Sequence, residues 1–306
     1  MTNLSEFTFL SSDGRTQLHG MLWEPEGVAV RAVLQICHGV AEHIARYDGF
    51  ARALNEQGIV VAGHDHLGHG KSLPEGGTPV YFGDGNTWNT VVDDIYILHQ
   101  RLKQRYPDVP LCIMGHSMGS FLTRTYLIRY PGTVKAAVIM GTGWQPRAAI
   151  TGGLALANAI AAVSGENATS ELVTELAFGS YNKLFAPNRT KVDWLSADES
   201  NVDDYIADPL CGADATVGLF RQMLHGIRFN QRQSHLRQMD REMPVLFVAG
   251  DKDPVGNCGK GVRQTYDAFR AAGMRDCTLK LYPGLRHEIL NEKAYTADLS
   301  LIHISE

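Results

Sequence analysis

Short apolar runs rich in β-branched residues punctuate the chain: "AVLQIC" (Ala32 to Cys37), "GIVVAG" (Gly58 to Gly63), "LCIMG" (Leu111 to Gly115), "AAVIMG" (Ala136 to Gly141), "VLFVAG" (Val245 to Gly250) and "LKLY" (Leu279 to Tyr282). Such runs predict strands buried on both faces, as parallel strands are when helices cover them. Between two of them, Trp88, Val91, Val92, Ile95, Leu98 and Leu102 recur at the three-and-four spacing of one helix face. Phe50, Ala53 and Leu54 predict such a face earlier, and Val262, Tyr266 and Phe269 later. Strand, helix, strand in this rhythm predicts a mostly parallel sheet with right-handed crossovers.

The rhythm has two exceptions. "EFTFLSSDGRTQLHGMLWEP" alternates on either side of Asp13-Gly14, which predicts an antiparallel hairpin at the sheet's edge. From about Gly143 to Met239 the apolar positions, among them Leu172, Val173, Leu176 and Leu184, then Leu219, Phe220, Met223, Leu224 and Ile227, fit helices only. An insertion at the carboxyl end of a parallel sheet lies over the crevice where ligands bind. The expected organisation is an α/β core made of residues 1–142 and 240–306, with residues 143–239 as a helical cap. The run Ala148 to Val163 holds sixteen residues and includes Thr151, Gly152, Gly153 and Asn158, short of the ~20 apolar residues of a spanning segment; it is expected to be a packed helix.

With 306 residues, 44% of them hydrophobic and 20% charged, the chain has the make-up of a globular enzyme rather than a disordered protein. A formal charge of -5 and no cluster of lysines or arginines leave no footprint for nucleic acid, which points to a small-molecule partner. Cys37, Cys112, Cys211, Cys258 and Cys277 are odd in number and contain no C-x-x-C pair, so neither a zinc ribbon nor a disulfide framework is expected. Cys37 and Cys112 sit in strand runs and read as buried residues rather than reactive thiols. "MTNLSEFTFL" lacks the basic and apolar regions of a secretory leader, and a cytoplasmic setting is expected.

Gly115-His116-Ser117-Met118-Gly119 matches G-x-S-x-G, a turn from strand to helix that holds a serine oxygen exposed. The strand run before it and Phe121, Leu122, Thr125 and Ile128 on one helix face after it supply the required context. A serine hydroxyl needs a base. His116 is adjacent, but neighbouring side chains diverge in a sharp turn, and His287 in "YPGLRHEIL", after the last strand run, is better placed. The carboxylate that would orient the imidazole comes from "VLFVAGDKDPVG", where Asp251 and Asp253 both qualify; Asp253 lies farther into the loop and is stiffened by Pro254.

Taken in order, "HGVAEHIARY", "GHDHLGHGKS", "GHSMGS", "GDKDP" and "GLRHE" resemble the α/β-hydrolase superfamily, and within it the monoacylglycerol lipase and lysophospholipase branch, over about Phe7 to Asn291. The resemblance implies an α/β-hydrolase fold with Ser117 as nucleophile, Asp253 as acid and His287 as base. It also implies an oxyanion hole from the backbone N–H groups of Val40 and Met118, and no cofactor or metal. The chemistry implied is hydrolysis of a carboxylic ester carrying an acyl chain through an acyl-enzyme, with transient contact between cap and membrane surface. Acyl length, amide or thioester activity and oligomeric state are left open.

Three other readings compete. His64, Asp65, His66 and His69, with His38 and His43, could hold a metal, or could build a turn rich in side-chain bonds to the backbone; the resemblance favours the turn, braced by Asp65, with Glu42 and His43 supporting the oxyanion loop. A binding protein that has lost catalysis is the second, and all three triad positions are filled against it. The third concerns Leu154, Leu156, Ile160, Leu172 and Leu176, which either line an acyl pocket or, as is expected of most of them, hold the cap helices together. After His287 such proteins carry a final helix, whereas this chain closes in "ADLSLIHISE", a shortened or non-native end.

Overall fold

The computed structural model describes residues 1–292; the tail expectation just given lies outside them. In chain order the elements are β1 (Thr2–Leu10), β2 (Gln17–Pro25), β3 (Ala32–Cys37), α1 (Asp48–Glu56), β4 (Ile59–His64), α2 (Thr87–Arg105), β5 (Leu111–His116), α3 (Met118–Arg129) and β6 (Ala137–Met140). There follow α4 (Arg147–Ser164), α5 (Glu171–Phe178), α6 (Glu199–Ala207), α7 (Val217–Asn230) and α8 (Gln233–Leu236), then β7 (Val245–Gly250), α9 (Lys260–Ala271) and β8 (Cys277–Tyr282). The strands form one eight-stranded sheet in the order β1-β2-β4-β3-β5-β6-β7-β8. From β4 to β8 every pairing is parallel, while β1 and β2 pair antiparallel with each other and β2 antiparallel with β4.

The β1–β2 connection is built by Asp13, whose carboxylate accepts from the backbone N–H of Arg15 and of Thr16, each at 2.8 Å, while Gly14 takes φ +74°. Successive strand residues point to opposite faces. Accordingly Ile113, Ala137, Ile139 and Phe247 join the core under α2, α3 and α9, and Met114, Val138, Met140 and Val248 join the core on the side of α1. A strand sandwiched in this way has no polar face, which is why the unbroken apolar runs were readable.

Several expectations need correction. β8 is not covered on both faces: Cys277 to Leu281 alternate between half-buried and exposed and only Tyr282 is buried, because among the described residues it is the sheet's last strand, flanked by β7 alone. In α1 the buried positions are Ala51, Leu54 and Asn55, about one turn apart, and Ala53 faces solvent. α3 has no single buried face, since every residue from Met118 to Ile128 is buried between the sheet, α2 and α7. α4 buries only the stripe Ile150, Leu154 and Ala157, packed towards α7, and exposes most of its remaining alanines and Val163. Leu172 and Leu176 are 55% and 67% exposed, so these two do not hold the helices between β6 and β7 together; Leu184, in the same segment, is 61% exposed.

Candidate active site

Four loops leaving the carboxyl ends of β3, β5, β7 and β8 meet above the sheet, the position parallel α/β sheets reserve for ligands. The loop from β5 is the tightest. Ser117 stands between β5 and α3 with φ 54° and ψ -121°, a conformation that costs a residue with a Cβ of order 1–3 kcal/mol and that the packing around it must hold. The packing is close: a Cβ on Gly115 would meet the Gly119 carbonyl oxygen, and one on Gly119 would meet the Cys37 carbonyl at the end of β3. Met118 is the first residue of α3, so its N–H has no partner within the helix and points out of the N-terminus beside the serine.

Asp253, fully buried after β7, accepts at Oδ1 from the backbone N–H of Val255 at 2.9 Å and lies 3.0 Å from Nδ1 of His287. Asp251 does something else: it accepts from Gly284 N–H at 2.8 Å and ties the β7 loop to the β8 loop. The structure therefore brings His287 together with Asp253. With Nδ1 so engaged, Nε2 is the imidazole nitrogen left for other chemistry. His287 and Ser117 line the same cleft, together with Val40 from the β3 loop.

His116 points the other way. Its Nδ1 lies 3.2 Å from Glu42 Oε1 and its Nε2 3.2 Å from the backbone oxygen of His287. Burial pushes Glu42 towards neutrality, but its bond to His116 and the Arg46 charge hold it well below the usual carboxylate range. Glu42 also accepts from Gly39 N–H at 2.5 Å, which fixes the residue before Val40.

The histidine-rich turn after β4 is braced as the turn reading requires. Asp65 accepts from Ile44 N–H at 2.8 Å and Lys71 N–H at 2.9 Å and pairs with His19 Nδ1 at 2.9 Å. His38 donates from Nδ1 to the Gly39 oxygen and accepts at Nε2 from His66 N–H, which takes both its nitrogens out of any ligand set. Burial drives His64 and His69 down to about 3, so both are neutral. His43, Asp208 and Cys211 are near enough for their donor atoms to share an ion, but His43 Nε2 and Asp208 Oδ2 already satisfy each other at 2.8 Å. Cys37 is pushed up to about 12 by burial, an inert thiol as expected.

The cleft is about 1110 Å³ and is roofed by the segment between β6 and β7. Its apolar lining includes Phe178, Val192, Trp194, Leu195, Tyr205 and Ile206; Leu154, Leu156, Ile160, Leu172 and Leu176 do not contribute. Sequence reasoning missed this aromatic wall, because Trp194 sits in a single three-residue turn with no periodicity and Tyr205 in the short, mostly polar helix α6. It also missed Arg46 and Glu288, although Arg46 stands four residues after Glu42 and Glu288 directly follows His287. Arg46 forks onto Glu288 with two bonds of 2.8 Å, and Asn201 of α6 donates to the same carboxylate at 2.8 Å.

A serine on a strained strand-to-helix elbow, a histidine–aspartate pair on the loops of later strands and a helical segment above a mostly parallel sheet define an α/β-hydrolase. The chain belongs to the family described as serine aminopeptidase, S33, whose model matches residues 28–294. It is 32% identical to a monoacylglycerol lipase of Mycolicibacterium smegmatis, over 94% of this chain and 91% of that one. It is also 28% identical to a monoglyceride lipase of Mus musculus, over 96% and 86%. Among solved structures, a thermostable carboxyl esterase from Bacillus coagulans in complex with glycerol superposes with a TM-score of 0.91 at 27% identity, covering 100% of this chain and 98% of that one. These relationships place the chain among carboxylic ester hydrolases.

Proposed function

We propose that the protein hydrolyses glycerol esters of a single acyl chain through an acyl-enzyme on Ser117. The observation that carries this reading is the buried Asp253–His287 pair, 3.0 Å apart, at the floor of the cleft onto which the elbow presents Ser117. Asp253 fixes the imidazole tautomer and offsets its charge when Nε2 takes the serine proton. Ser117 Oγ attacks the ester carbon, and the N–H groups of Val40 and Met118 stabilise the resulting oxyanion. The C–O bond to the alcohol breaks as His287 returns the proton to the leaving oxygen. Water then repeats the sequence on the acyl-enzyme and releases the acid.

The aromatic wall and the volume of the cleft support an acyl chain, and the lipase relatives support a glycerol ester. Exposed Val163, Leu172, Leu176 and Leu184 on the segment roofing the cleft support its transient contact with a lipid surface, where such a substrate resides. The five cysteines are free thiols, in keeping with a cytoplasmic setting.

The test is labelling by a fluorophosphonate probe, followed by rates on acyl chains from acetate to palmitate, presented as glycerol esters, nitrophenyl esters and aminoacyl anilides. Labelling at Ser117, loss of both labelling and turnover in Ser117→Ala, and preference for monoacylglycerols are expected. Failure of the wild-type protein to label would overturn the nucleophile assignment, and faster anilide than ester cleavage would overturn the substrate class.

A further inference from the structure

The elbow histidine is fully engaged with acceptors. Glu42 Oε1, 3.2 Å from Nδ1, belongs to a carboxylate that also accepts from Gly39 N–H, from the Tyr47 hydroxyl at 3.0 Å and from Arg46 at 2.9 Å. The atom opposite Nε2, also at 3.2 Å, is a main-chain carbonyl oxygen, that of His287. Neither oxygen has a proton to give. The Tyr47 oxygen, 3.3 Å from Nδ1, has already donated its own to Glu42 and can only accept. A neutral imidazole has one N–H and one lone pair, so one of its nitrogens would face an oxygen lone pair in a buried site.

The charge count points the same way. Glu42, Glu288, Arg46 and His116 form a contiguous buried group: Arg46 bonds both carboxylates, and Glu42 bonds His116. Two carboxylates against one guanidinium leave one negative charge unmatched, an expensive state away from water. Protonated His116 brings the sum to zero. The other groups facing the cluster leave this count unchanged: Tyr47, Tyr205 and Cys211 are raised by burial and keep their protons, His38 is neutralised by burial, the His43–Asp208 pair lies beyond, and His287, its ring 4.7 Å from that of His116, is paired through Nδ1 with a carboxylate of its own, Asp253.

We propose that His116 is a resident imidazolium that completes a charge-neutral cluster and acts as a positioning residue for the base, holding the main chain of His287 through Nε2–H. The serine's neighbour, tempting as a base, has no lone pair to accept a proton with. Its two bonds join the oxyanion loop at Glu42 to the base loop at His287 across the elbow. Through Asn201, which donates to Glu288, the same cluster reaches α6.

The inference rests on His287 being the base, and its tests separate the two. Ring ¹⁵N NMR of the full chain, with His116 assigned through the backbone of Gly115 and Ser117, is expected to show both ring nitrogens protonated at pH 7 and one proton lost only in alkali. A single protonated nitrogen at pH 7 overturns the charge, whatever the catalytic reading. In kinetics on a soluble ester, His116→Gln is expected to lower kcat roughly tenfold or more with little change in KM, and Glu288→Gln in that background to cost less than it does alone, since neutrality returns. Unchanged kcat, or effects that simply multiply, overturns the positioning role. Full activity in Ser117→Ala would instead overturn the triad and leave the NMR result standing.

Discussion

Asp253 uses one carboxylate oxygen and holds the other, Oδ2, buried without a hydrogen-bond partner among the described residues. Asn at this position keeps the shape but donates where His287 Nδ1–H must donate, forcing the other tautomer. Under the proposed triad Asp253→Asn therefore lowers kcat by about 10⁴-fold with the fold retained, which steady-state kinetics beside circular dichroism will show. Gly141, at φ +59°, is the second sensitive point: a Cβ there would stand 3.0 Å from His287 Cε1 and 3.2 Å from His116 Cδ2. Gly141→Ala is expected to lower kcat more than it lowers thermal stability. The elbow, the aspartate and the histidine were legible in the sequence because each lies in a short motif at a strand end. The pairing of Arg46 with Glu288 was not, since 242 positions separate them and only folding makes them neighbours.

At the scale of elements, the β3–α3 contact at the elbow is the least forgiving. Gly119→Ala drives a methyl group into the Cys37 carbonyl and must push α3 off the sheet, an overpacking cost of about 1–3 kcal/mol readable as a lower midpoint in urea. The roof behaves differently. Leu172→Ser with Leu176→Ser removes exposed apolar surface, so it is expected to leave turnover of a soluble ester unchanged and to slow hydrolysis of substrate dispersed in vesicles. Central strands could be read from their apolar runs because two covered faces demand them. α4 could not: its apolar composition suits a packed helix equally well, and nothing local says that its main partner is α7. The edge position of β8 was hidden for the same reason, being a property of its neighbours.

For the whole molecule, the buried imidazoles around the β4 turn set the response to acid. His64 and His69 are held down to about 3 by burial, and His38 and His66 are lowered by the same cause. A base whose folded value lies below its unfolded one binds the proton more tightly in the unfolded chain. Its contribution is thus complete above the unfolded value near ~6.5 and is lost progressively as the pH falls from there towards the folded value. Each such residue costs about 1 kcal/mol by pH 5.5. His19 and His116, both raised, work in the opposite direction but are fewer. A melting temperature that drops steadily from pH 7 to pH 5, and recovers on return, is expected in scanning calorimetry.

The backbone oxygen of Leu195 accepts from the N–H groups of both His287 and Glu288, at 3.1 and 2.8 Å. The stretch that roofs the cleft and the loop that carries the imidazole are thereby stitched at the main chain, so this part of the roof cannot swing away as a lid without displacing the His287 loop. Opening to admit substrate has to hinge farther out, around α5, and amide exchange should divide the roof accordingly: rapid over Glu171–Phe178, and as slow at Leu195 and its neighbours as at His287 itself. Heat that loosens this seam would silence the enzyme before the sheet unfolds.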